Sequence, residues 1–64
     1  MEYKDLILLL RKTMLLSQTE FAKKLGVSFA TVNRWEKGHH NPTYKQLRKI
    51  KELCLKYEIP FEVV

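Results

Sequence analysis

The sequence predicts a small all-α bundle of four to five helices. Apolar residues recur at three-and-four spacing in segment after segment. Two S/T-x-x-E/Q capping boxes, at Ser17–Glu20 and Thr43–Gln46, mark helix starts. Strand-like composition is confined to the last stretch, Ile59 to Val64.

The first segment, from about Tyr3 to Lys12, carries Tyr3, Leu6, Ile7, Leu10 and Met14 as one apolar stripe. The second opens on the Ser17 box, runs through Phe21, Ala22 and Leu25, and stops at Gly26. A glycine there serves the left-handed turn that closes many helices. The third starts from Ser28, a good N-cap, and ends at Gly38 with Val32 and Trp35 facing inward. After the loop Gly38-His39-His40-Asn41-Pro42, the fourth opens on Thr43 and runs through Leu47, Ile50, Leu53, Cys54 and Tyr57. Pro60 stops it, because the residue before a proline avoids the helical region. Residues 58–64 are read as a packing tail, an edge strand for pairing, or the start of a further segment.

With 64 residues the chain holds one small domain. A 45% hydrophobic content with two Gly and two Pro excludes disordered and collagen-like classes. The lone Cys54 excludes an intramolecular disulfide and fits a reducing, cytoplasmic setting. The longest apolar run, Leu6 to Leu10, falls far short of the ~20 residues a membrane span needs. The net charge of +5 is unevenly placed. Residues 1–20 are balanced, 21–51 hold eight basic residues against Glu36 alone, and the remainder is slightly acidic. A basic middle is the electrostatic footprint of a nucleic-acid binder, although a solvated lysine-rich surface has the same composition.

Spacing decides between these. Only Gly26-Val27 separates the second segment from the Ser28 cap of the third. Two helices joined by so short a glycine-containing turn form a helix-turn-helix, about residues 18–37. Ala22 supplies the small side chain needed where the helices approach. With Val32 and Trp35 turned inward, Phe29, Ala30, Asn33, Arg34 and Lys37 form one outward face. An amide and a guanidinium on such a face can read base edges in a major groove.

The run Arg11-x5-Ser17-Gln-x-x-Phe-Ala22-x-x-Leu-Gly26-Val-Ser-x-x-Thr-Val32-x-x-Trp-Glu36-x-Gly38, followed by Pro42, resembles the Cro and phage-repressor type (XRE-like) helix-turn-helix family. The resemblance spans roughly Ile7 to Leu53. It implies a lambda-repressor-like fold of about five helices, acting as a dimeric transcriptional regulator, with Arg11 and Glu36 forming an internal ion pair. Two departures stand out. Leu15 occupies a position where the family commonly has Gly, which implies a different turn before the second helix. Lys51 occupies one where Ala is common, which implies a different rotation of the fourth helix.

The expected base contacts are Phe29, Ala30, Asn33 and Arg34, with Arg suited to guanine and Asn to adenine. Gln18, at a helix N-terminus, is expected on a phosphate. The resemblance adds Lys37, His39, His40, Asn41, Tyr44 and Lys45 as backbone contacts. No cofactor or metal is expected, since only Cys54 could join His39-His40 and it falls on an apolar helical face. Trp35 and Cys54 are read as core. No nucleophile–base spacing or phosphate-cradling glycine loop suggests an enzyme.

The reading is a non-membrane, sequence-specific double-stranded DNA-binding domain, acting as a homodimer. Two rivals remain open. Leu8, Leu9 and the apolar tail could serve a protein partner, as in an antitoxin built on the same fold. The apolar ending Phe61-Glu-Val-Val64 could instead belong to a targeting domain within a larger DNA-modifying enzyme.

Overall fold

The computed structural model describes residues 1–62. These form α1 (Tyr3–Thr13), α2 (Gln18–Leu25), α3 (Phe29–Glu36) and α4 (Tyr44–Lys56). Among the described residues there is no strand and no fifth helix; 57–62 run as a turn and an irregular tail. Val63 and Val64, the end of the strand-like stretch, lie outside the described residues. No helix among the described residues is long and apolar enough to cross a membrane.

Each of the last three helices begins on the side chain that its sequence provides. Ser17 accepts from the Glu20 N–H while Glu20 accepts from the Ser17 N–H, and Thr43 and Gln46 repeat this reciprocal box. Ser28 caps α3 alone, accepting from the Thr31 N–H.

All four helices end in the same way. A residue with positive φ closes each one: Leu15 at +59°, Gly26 at +71°, Gly38 at +78° and Glu58 at +58°. Its N–H bonds three residues back and the next N–H bonds five residues back, the Schellman pattern. At Leu15 these bonds are Leu15 N to Lys12 O, 3.1 Å, and Leu16 N to Arg11 O, 3.2 Å.

The turn before α2 therefore keeps the left-handed shape glycine favours, contrary to the difference the Leu15 substitution suggested. The hydrogen bonds and Leu16, which packs against the core, hold the backbone there. The Leu15 side chain is left 89% exposed. For a non-glycine residue this conformation costs roughly 1–2 kcal/mol.

The core draws on every helix: Leu6, Ile7 and Leu10 of α1; Phe21, Ala22 and Leu25 of α2; Val32 and Trp35 of α3; Ile50 and Cys54 of α4. Ile59 joins them from the tail, and Phe61 packs against the outside of this core. The tail thus closes the domain's own base, and 59–62 form no edge strand. Lys51 lies at the surface with its ammonium 6.0 Å from the centre of the Phe61 ring. α3 packs on α1 and α2, and α4 packs on the same two helices. This leaves the outer face of α3 uncovered.

Candidate nucleic-acid interface

The two buried anchors of α3, Val32 and Trp35, fix which of its residues face outward. Phe29, Ala30 and Arg34 are exposed on the other side, with Lys37 on the turn that follows. Phe29 remains 51% exposed, so its ring lies at the surface of the helix start. Asn33, between Arg34 and Val32, is half-buried.

Behind Asn33 lies a chain of polar contacts. Arg11 donates from Nε to Glu36 Oε2 at 2.7 Å and from Nη2 to Glu36 Oε1 at 3.0 Å. A third Arg11 nitrogen, Nη1, donates to the Leu16 carbonyl at 3.1 Å. The pair is well shielded, with 16% of the Arg11 side chain and 8% of the Glu36 side chain exposed. The hydrogen bond to Glu36 pushes the Arg11 guanidinium above its ordinary value, so it stays charged. Gln18 Nε2 donates to Glu36 Oε1 at 3.0 Å, and Asn33 Nδ2 donates to Gln18 Oε1 at 3.3 Å. The chain thus runs from α1 through α3 and α2 back to the outer face of α3.

Gln18 therefore enters this site differently from a first-turn glutamine turned to solvent. Both ends of its amide already have protein partners, and one N–H remains to donate to a phosphate. It sits at the start of α2, where the first backbone N–H groups lack intrahelical partners and the dipole favours an anion.

The remaining candidates are spread over the end of α3, the following loop and the start of α4. His40 and Asn41 share a cleft, Lys45 lies beside the Gly26-Val27 turn, and Tyr44 lies on the side of Tyr3 and Phe61. Between α3 and the following loop a cleft of about 160 Å³ is lined by Thr31, Arg34, Trp35, His40, Asn41 and Gln46. His39, His40 and Asn41 are exposed, with the His39 N–H tied to the Arg34 carbonyl at 3.0 Å. Tyr44, the first residue of α4, is 86% exposed, and Lys45 beside it is exposed. Among the described residues no three His, Cys, Asp or Glu side chains gather as metal ligands. Burial pushes the Cys54 thiol up, away from its reactive thiolate form.

The sequence reading passed over two features. Arg48 and Lys49 join Lys45 along a groove of about 520 Å³ beside the Gly26-Val27 turn, extending the basic rim along α4. Helical spacing from Lys45 could have flagged them. The Gln18 bridge could not be read, because it depends on the crossing of α2 and α3.

This geometry is that of a helix-turn-helix domain with its second helix presented outward. The helix-turn-helix family model matches residues 7–54, and the chain belongs to that XRE-type family. Over 35 residues, 55% of the chain, it is 46% identical to an uncharacterized HTH-type transcriptional regulator of Haemophilus influenzae. The matched stretch spans 15% of that relative's length. No solved structure matches the chain.

Proposed function

We propose that the chain is a sequence-specific double-stranded DNA-binding domain of a cytoplasmic transcriptional regulator, with α3 entering the major groove. The observation that carries this is the outward face of α3. It joins an amide, Asn33, and a guanidinium, Arg34, on a helix whose other side is locked into the core. Arg34 reads guanine and Asn33 reads adenine, the pairings their donor and acceptor geometry favours. Phe29 and Ala30 offer apolar contact to thymine methyl groups at the helix start.

Phosphates flank this face. Gln18 and the α2 N-terminus grip one strand, while Lys37, His39, His40, Asn41, Tyr44 and Lys45 grip the other side. The uncovered positive charge of residues 21–51 strengthens both grips and makes them salt-dependent.

The domain acts as a homodimer on DNA. Half-sites for this motif lie about 34–36 Å apart, or multiples of that. The largest Cα extent here is 25 Å, so one copy covers one half-site. Leu9, 42% exposed on α1, and the outer side of the tail provide the contact between copies. Leu8 is half-buried, and Ile59 is committed to the domain's own core, which narrows the proposed surface.

Selection of bound sequences from random duplex DNA tests the reading. One enriched motif, with two inverted half-sites, is expected. Retention of duplex DNA with no enriched sequence at any salt concentration would leave only a nonspecific basic surface.

A further inference from the structure

The chain Arg11–Glu36–Gln18–Asn33 has a direction, and the direction has a consequence for base selection. We infer that Glu36, acting through Gln18, fixes which hydrogen-bonding groups Asn33 offers to DNA and so selects adenine over guanine at that base pair. This rests on Asn33 being a base-reading residue.

A carboxylate only accepts hydrogen bonds. Glu36 Oε1 already accepts from Arg11 Nη2, and Gln18 meets the same oxygen at 3.0 Å. Whichever way an amide might otherwise turn, the end of Gln18 facing Glu36 must be its NH₂. Its carbonyl oxygen then faces Asn33, which must answer with an N–H; this is the 3.3 Å contact from Nδ2. Asn33 is left with one N–H and its carbonyl oxygen unspent. That donor–acceptor pair matches adenine N7 and N6–H₂.

Reversing Gln18 would reverse the outcome. Asn33 would turn its carbonyl inward, spend one lone pair on Gln18 and point both N–H groups outward, which suits the two acceptors of guanine, O6 and N7. The negative charge of Glu36 forbids that reversal, and Arg11 holds Glu36 in place through two bonds. The shielding of Glu36 keeps water from substituting for Gln18. Glu36 and Gln18 are thus positioning residues for specificity.

The test begins by locating the base pair at which Asn33→Ala relaxes preference on a selected site. Binding is then compared on four duplexes differing only at that pair, for wild type, Gln18→Met and Glu36→Gln. Circular dichroism fixes a temperature at which each protein is folded. Gln18→Met keeps the side-chain length and leaves the Arg11–Glu36 pair intact, so it decides the matter if Glu36→Gln fails to fold.

Wild type should prefer adenine over guanine by roughly tenfold or more, within the range of a bidentate contact. Both variants should bring that ratio to within about threefold, while preference at the pair read by Arg34 survives. A uniform loss on all four duplexes with the adenine ratio kept would overturn the inference and leave a structural role only. Preference for any other base at that pair would also overturn it. If Asn33→Ala changes no base preference, the underlying assignment of Asn33 to base reading fails instead.

Discussion

Arg11 and Glu36, 25 positions apart in the chain, meet through two hydrogen bonds of 2.7 and 3.0 Å. The contact clamps the end of α1 to the end of α3 and positions α3 against the rest of the domain. Removing one partner leaves the other charge shielded and unpaired, at a cost of roughly 3 kcal/mol, the low end for a buried pair. In a domain of this size each kcal/mol moves the melting temperature by roughly 4–8 °C. Arg11→Met or Glu36→Gln should therefore lower it by more than about 10 °C. Shifts of a degree or two in both variants would mean the pair behaves as an ordinary surface contact.

The turns at Leu15 and Gly26 share one backbone conformation and should respond to substitution with opposite signs. Leu15→Gly removes roughly 1–2 kcal/mol of left-handed strain, and the extra freedom of glycine in the unfolded chain takes back about half. A rise of a few degrees in melting temperature is expected. For Gly26→Ala, an added Cβ meets nothing within 4 Å, so the loss of about 1 kcal/mol is backbone strain alone. Thermal melts of the two variants settle both signs.

Acid should weaken the cap of α2. The Ser17 N–H bonds the Glu20 carboxylate at 2.9 Å and holds its carboxyl below the usual carboxylate range. A depressed value means the contribution is complete above the unfolded-state value of about 4.3 and disappears as pH falls through the folded-state value. Glu20→Gln replaces a titrating cap by a neutral one. Between about pH 5 and 3 the wild type should lose more melting temperature than this variant. Equal losses would remove the cap from the acid response.

The proposed homodimer is tested by counting copies on DNA. Sedimentation on a selected duplex should give two copies per site, and Leu9→Lys should reduce the complex to one copy without changing the monomer fold. A single copy bound to a selected site by the wild type would contradict the dimer.

Much of the fold was legible because its signals are local. Capping boxes at Ser17 and Thr43, the cap at Ser28 and the turn at Gly26 need only near neighbours in sequence. The inward placement of Val32, Trp35 and Cys54 followed from spacing. Leu15 misled, because a side chain that simply leaves for solvent lets a leucine occupy a glycine's conformation when hydrogen bonds on both sides enforce it. For the tail, the sequence left a packing segment and an edge strand both open, and among the described residues Ile59 and Phe61 take the packing role and pair with no strand. At the site, outward residues of α3 could be read, but not what stands behind them. The Gln18–Asn33 contact joins residues 15 apart on two helices, and its geometry exists only once they cross.

The central claim, that α3 reads bases while the basic rim holds phosphates, is tested most directly by comparing Arg34→Ala with Lys45→Ala. Both are measured on matched and single-mismatch duplexes at several salt concentrations. Lys45→Ala should weaken binding about equally on every sequence and lower the salt slope by roughly one unit. Arg34→Ala should cost roughly 1–3 kcal/mol on the matched site and relax the preference at one base pair. If Arg34→Ala loses affinity uniformly and leaves every base preference intact, Arg34 does not read a base, and the proposed role of the α3 face is contradicted at its guanidinium.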